Sequence, residues 1–218
     1  MIRYVWFDLD DTLYPSTSGL WHAIGERISL YMVERLGMHK DEVLARREHY
    51  FKAFGTTLNG LRRDFTVDTD DYLAFVHDLP LADYIQPDLE LDEMLLRLPL
   101  AKIVFTNADL DHALRVLQRL GVTNHFERIV DIRAMEFVNK PNEGAYLRTL
   151  ELIGATPEEC VLVEDSPRNL HTARALGMRT VLVQPAGEQD GADYHIESVL
   201  GIETVLAELL NTAAMTPD

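Results

Sequence analysis

The stretch YVWFDLDDTLYP, residues 4–15, passes from an apolar run (Val5, Trp6, Phe7) into three carboxylates, Asp8, Asp10 and Asp11, within four positions. A short run rich in β-branched and aromatic residues reads as a buried strand, so the acids stand at a strand's carboxyl end. Ionised carboxylates this close raise one another's pKa unless a positive charge offsets them. They either point apart into water or hold a cation.

Working outward, two textures alternate along the chain. From residue 101 onward, AKIVFTN (101–107), RIVDI (128–132), CVLVED (160–165) and RTVLVQP (179–185) read as strands, the last closing the series. Between them, ADLDHALRVLQRLG, KPNEGAYLRTLELIG and SPRNLHTARALG carry apolar residues at helical spacing and stop at Gly121, Gly154 and Gly177. Ser166 and Pro167 are the N-cap and first helical residue of the third. Such alternation implies a parallel sheet covered by helices on both faces.

Residues 16–95 show helical patterns and no convincing strand, with apolar positions such as Trp21, Ile24, Ile28, Met32 and Leu36 in phase. The expectation is therefore an α/β, Rossmann-like core (1–15 and 96–212) with an α-helical cap (16–95) inserted after the first strand. Residues 186–194 read as a loop and 213–218 as a frayed tail. Trp21, Tyr50, Phe51 and Phe54 read as cap core. His22, His112 and His171 read as helix residues, partly buried or solvated, without the two-ligand spacing of a zinc site.

Composition narrows the function. Twenty basic against thirty-six acidic residues give a net charge of −16, which argues against a nucleic-acid surface. One phosphate on a small substrate needs only a local positive site. Cys160 is the single cysteine, so no internal disulfide and no cysteine-based zinc cluster can form. No apolar run reaches membrane-spanning length, and the first strand starts too early for a signal peptide. A cytoplasmic protein, monomer or homodimer, is expected.

The polar residues that end the strands carry the chemistry. Asp8 and Asp10 follow the first strand, Thr106 and Asn107 the second, Glu164 and Asp165 the strand VLV, while Lys140 stands before a helix opened by Pro141. In an open parallel sheet these carboxyl ends line the ligand crevice. Several carboxylates there call for a hard divalent cation such as Mg2+, and Lys140, Thr106 and backbone N–H groups would supply donors for an anionic substrate.

Read in order, DLDDT, FTN, NKP and VEDSPRN resemble the four motifs of the haloacid dehalogenase superfamily of phosphotransferases over nearly the whole chain. The resemblance implies Asp8 as nucleophile, forming an aspartyl-phosphate, and Asp10 as general acid and then base. It implies that Thr106 and the Asn107 backbone hold phosphoryl oxygens and that Lys140 balances charge. Asp8, Asp165 and the carbonyl of Asp10 would ligate Mg2+, with Glu164 acting through water and Asn169 positioning the metal-bound carboxylates. Asp11, at a position where the family commonly has Gly, is expected to face away from the metal.

Dehalogenases of this superfamily lack an acid where Asp10 stands, so phosphomonoester hydrolysis is favoured. FDLDDTLYP, YFKAFGTTLNGL, LPLADYIQPD and VLVEDSPRNLHTARALGM are similar to the pyrimidine 5′-nucleotidase branch, which implies nucleoside 5′-monophosphates such as UMP and CMP as substrates. Thr56, Thr57 and Asn59 are then candidates for base or ribose contacts, or equally a helix start with Thr56 as N-cap. Another small ester (phosphoglycolate, a sugar phosphate, pyridoxal phosphate) is the alternative. A catalytically idle binding protein and a phospho-accepting receiver module are rivals of other classes. A receiver's acceptor aspartate sits on a middle strand, whereas the middle strand here ends in FTN.

Overall fold

Alternation with period two sorts the strand residues onto two faces. In the computed structural model, which describes residues 1–184 and 191–214, the strands are β1 (Tyr4–Phe7), β2 (Ala101–Phe105), β3 (Arg128–Val130), β4 (Cys160–Glu164), β5 (Arg179–Val183) and β6 (Tyr194–Ile196). All pair in parallel in the order β3-β2-β1-β4-β5-β6. Val5 and Phe7 join Val104, Val161, Val163 and Val181 in one apolar layer; Trp6 joins Ile103, Phe105, Cys160 and Leu162 in the other. Both faces are therefore covered, as an all-parallel sheet requires.

The chain leaves β1, crosses to β2 and β3 on one side, then returns to β4 on the other, so the order reverses at β1. That reversal opens a crevice at the carboxyl edge. Phe7 pairs with Val104 on one neighbour and Val163 on the other, so β1, β2 and β4 run out at the same level.

Between β1 and β2 come α1 (Leu20–Glu34), α2 (Lys40–Phe54), α3 (Thr57–Asp64), α4 (Thr69–His77) and α5 (Leu89–Arg97); the later helices are α6 (Leu110–Leu120), α7 (Glu143–Ile153), α8 (Pro167–Leu176) and α9 (Ile202–Ala214). Within the inserted segment, α5 packs through Leu91, Met94 and Leu95 in the layer that holds β1 and α6, whereas α2, α3 and α4 bury Tyr50, Leu61 and Leu73 in the other. No helix among the described residues is long and apolar enough to cross a membrane.

Three expectations are corrected. The strand series does not close with β5, because Tyr194, expected in a loop, begins β6 on the sheet edge; three half-buried residues carry too little periodicity to announce a strand. Ala213 and Ala214, the start of the expected tail, continue α9. Of the four aromatics read as cap core, Tyr50 is fully buried but Trp21 and Phe51 are each 49 % exposed, since they face a cavity rather than the packed interior. Residues 186–190 of the expected loop and 215–218 of the expected tail lie outside the described residues.

Gly60 sits inside α3 directly beneath the Tyr50 ring, where an added Cβ would overlap the ring carbons. Helix propensity alone favours alanine there; the overlap opposes it. Gly60→Ala is expected to destabilise by about 1–3 kcal/mol, read as a lower urea midpoint. A neutral or raised midpoint would show that α2 and α3 separate freely.

Candidate active site

Asp8 follows the central strand, and its N–H still donates to Val163 O at 2.9 Å, so the ladder carries it to the crevice. Its Oδ1 accepts from Lys140 Nζ at 2.6 Å. The same ammonium donates to Glu164 Oε2 (2.8 Å) and to the Phe105 carbonyl (2.9 Å), which uses all three of its N–H groups. Lys140 itself is held through its backbone: its N–H donates to Asn107 Oδ1 (2.9 Å) and its carbonyl accepts from Asn107 Nδ2 (3.1 Å). The asparagine that ends the second motif thus fixes the lysine of the third.

Asp8, Glu164 and Asp165 bring ligand atoms within 4.8 Å of one another. Burial, then repulsion from Glu164, pushes Asp8 up to about 7. Burial does the same to Glu164, raised to about 7, and with the charge of Asp8 it raises Asp165 to about 6. Burial opposes the charge on Lys140, but Asp8 and Glu164 outweigh it and hold the ammonium above its ordinary value. Three clustered carboxylates against one saturated lysine leave unneutralised negative charge, and an all-oxygen donor set fits a hard divalent cation. Glu164 has both oxygens engaged, Oε2 by Lys140 and Oε1 by the Ser166 N–H at 3.1 Å, which leaves Asp8 and Asp165 as the freer ligands.

Asp10 turns differently. Its Oδ1 meets Tyr14 Oη at 2.6 Å and His112 Nε2 at 3.0 Å. Burial alone would raise Asp10, but His112, the Tyr14 hydroxyl and His77 together hold it below the ordinary carboxylate range. The sequence places His112 in a helix as partly buried or solvated, without linking it to Asp10, and passes over His77; the structure buries His112 fully, in a contact that joins residues 102 positions apart. Asp11 stands outside the carboxylate cluster of Asp8, Glu164 and Asp165. Its φ of +59° explains why a glycine would suit this turn; the residue lines the cavity, and its Oδ1 is buried with no partner among the described residues.

Thr106 is buried, its Oγ1 accepting from the Ala108 N–H at 3.0 Å, and it lines the cavity with Asn107, Asn169, Thr56 and Thr57. Thr56 is the N-cap of α3, accepting from the Asn59 N–H. Asn59 lies elsewhere: its Nδ2 donates to the Phe137 carbonyl (2.9 Å) and to Asn139 Oδ1, joining α3 to the segment before Lys140. Arg168 makes a second such link, its Nη1 donating to the Phe51 carbonyl at 2.9 Å. Beneath these links is a cavity of about 540 Å³ whose floor is the acid cluster and whose upper wall includes Trp21, Leu44, Arg47, Phe51 and Leu73.

A carboxylate–lysine centre on the carboxyl edge of a parallel sheet, roofed by inserted helices, defines the class. Residues 2–177 match the haloacid dehalogenase-like hydrolase family, and the chain belongs to it. Among curated relatives, Phosphate metabolism protein 8 of Saccharomyces cerevisiae is 28 % identical over 83 % of this chain, which spans only 61 % of that longer protein. Glyceraldehyde 3-phosphate phosphatase of Methanopyrus kandleri is 26 % identical (96 % of this chain, 99 % of that one), and phosphoglycolate phosphatase of Chromobacterium violaceum 28 % (93 % and 90 %). A HAD phosphatase from Thermococcus onnurineus superposes with a TM-score of 0.65 at 20 % identity, over 94 % of this chain and 98 % of that one. At such identity the superposition speaks for the fold alone.

Proposed function

We propose that this chain is a Mg2+-dependent phosphomonoester hydrolase working through an aspartyl-phosphate on Asp8, with nucleoside 5′-monophosphates, pyrimidine ones foremost, as substrates. The observation that carries the reading is Asp8 at the end of the central strand, gripped by Lys140 and two positions from Asp10. Asp8 attacks phosphorus while Asp10 gives its proton to the departing oxygen; water then attacks the aspartyl-phosphate, Asp10 takes its proton, and the electron pair returns to Asp8. A phosphate beside Asp10 adds negative charge and favours the protonated acid needed for the first step. Thr106 and the Asn107 backbone hold phosphoryl oxygens, and Asn169 orients the carboxylates. Asp8, Asp165 and the Asp10 carbonyl would hold Mg2+, which when bound supplies charge neutralisation at the phosphoryl group.

The names of the relatives, phosphatases for glyceraldehyde 3-phosphate and phosphoglycolate, support a small phosphate ester and keep that alternative open. The GTTLNGL stretch supports the nucleotide reading, as does a cavity of about 540 Å³ with Trp21 and Phe51 on its wall, which is large and apolar for a three-carbon leaving group. Of the three cap candidates, Thr56 and Thr57 line this cavity and Asn59 does not, so the two threonines stay as the contacts for base or ribose.

Phosphate release from UMP, CMP, AMP, GMP, phosphoglycolate, pyridoxal phosphate and sugar phosphates, with Mg2+, tests this. The expected result is a kcat/KM preference for pyrimidine monophosphates, abolished by EDTA and restored by excess Mg2+. A preference for a small acid phosphate would discard the nucleotide but keep the chemistry. Full activity in EDTA would remove the metal, and no activity on any ester would favour the idle binding protein.

A further inference from the structure

Two donors converge on one oxygen of Asp10. Tyr14 Oη lies 2.6 Å and His112 Nε2 3.0 Å from Oδ1, while no partner among the described residues engages Oδ2. The His112 side chain is fully buried and its Nδ1 has no hydrogen-bond partner among the described residues, so the tautomer with its proton on Nε2 is the one that leaves no buried N–H unpaired. That tautomer donates to Asp10. The ring is also fixed in plane: His77, from the end of α4, stacks on it with centroids 4.2 Å apart and planes at 21°. His77 Nδ1 is 2.9 Å from Asp109 Oδ1, and its carbonyl accepts from Arg115 Nη1 at 2.9 Å. The inserted helices therefore brace a ring that touches the core's acid.

We propose that His112 and Tyr14 are positioning residues that hold Oδ1 of Asp10 and so present Oδ2 as the oxygen that gives and takes the catalytic proton. The proposal rests on Asp10 being the acid. In the first step Asp8 forms the P–O bond, the bond to the leaving group breaks, and its oxygen takes the proton from Oδ2. The carboxylate that remains is met by two donors already in place, and hydrogen bonds to the charged form favour it. Both donors thus aid the transfer itself, beyond packing the turn. His77 acts one contact further back by holding the His112 plane.

Protonation of the leaving oxygen matters for an alkoxide and little for a nitrophenolate, which departs unaided. That difference separates positioning from simple support. kcat/KM, which reports events through the first phosphoryl transfer, is measured for the best alkyl phosphate and for 4-nitrophenyl phosphate with Mg2+. His112→Leu is expected to lose on the order of 10²-fold on the alkyl ester and less than about tenfold on the aryl ester. His112→Gln, which keeps a donor near the Nε2 position, should recover most of the loss, and Tyr14→Phe should show the same selectivity more weakly. Thermal melts check folding, and the glutamine variant keeps the test open if leucine is not tolerated. Equal losses on both esters, or a folded glutamine variant no better than leucine, would overturn the proposal. Asp10→Asn is the reference. If it too loses both esters equally, the acid role of Asp10 fails and the proposal fails with it. If Asp10→Asn is selective and His112→Leu is not, only the positioning falls.

Discussion

Asp8→Asn is expected to lower phosphate release from every ester by about 10⁴-fold or more, the scale on which nucleophile removal acts, while the protein stays folded. Asparagine is isosteric, so its Oδ1 can still accept from Lys140 Nζ and the end of β1 keeps its place. What disappears is the electron pair that forms the bond to phosphorus. Stability should hold or rise slightly, because burial and the charge of Glu164 already oppose an ionised Asp8. Unchanged activity with a normal thermal midpoint would sink the aspartyl-phosphate mechanism. Lost activity with a collapsed midpoint would leave the mechanism unsupported by this variant.

Lys140→Met combines two losses. The ammonium is fully buried between Asp8, Glu164 and the Phe105 carbonyl. Removing it strands two buried carboxylates, which typically costs about 3 kcal/mol or more, and it frees Asp8 to rotate. Urea unfolding near neutral pH should show the stability loss, and phosphate release should become undetectable. The sign with pH follows from the partners. As pH falls through the raised values of Asp8 and Glu164, about 7 each, the carboxyls protonate and the wild-type ion pairs weaken. The gap between wild type and variant should therefore narrow in acid. A methionine variant as stable as wild type at neutral pH would show that the carboxylates do not need Lys140. Arginine is not a substitute, because its planar fork cannot match three acceptors around a single ammonium nitrogen.

The parts of the site visible in the sequence are those that terminate elements. Asp8, Thr106 and Glu164 each interrupt an apolar strand, and burial on both faces makes those strands easy to see. Lys140 is legible through the proline that follows it, although the expected helix opens not at Pro141 but at Glu143, with Asn142 as its N-cap. What stayed hidden depends on which elements meet. Helical spacing places His112 on the inner face of α6 but cannot say that this face passes under Asp10. Trp21 and Phe51 fit the apolar phase of their helices as well as any core residue would, and only the packing shows that their side borders a cavity. Asn59 looked like a ligand contact because polar residues at a helix start are ambiguous; its amide is consumed in joining α3 to Asn139. Asp11 carries no sign of its left-handed backbone except its place in a tight acidic turn.

The shared register of the three central strands sets a tolerance. Phe7 is level with Val104 and Val163, so Asp8, Thr106 and Glu164 are located by counting residues along neighbouring ladders rather than by any loop. A slip of one residue on β1 would carry its acid about 3.3 Å along the strand and turn it to the opposite face. Nothing between those outcomes is available, because pleat and hydrogen bonds allow only whole steps. The alignment of Asp8 with Thr106 and Glu164 is in this sense digital. It is set again each time the two apolar layers form, because those layers fix which face of β1 each residue takes.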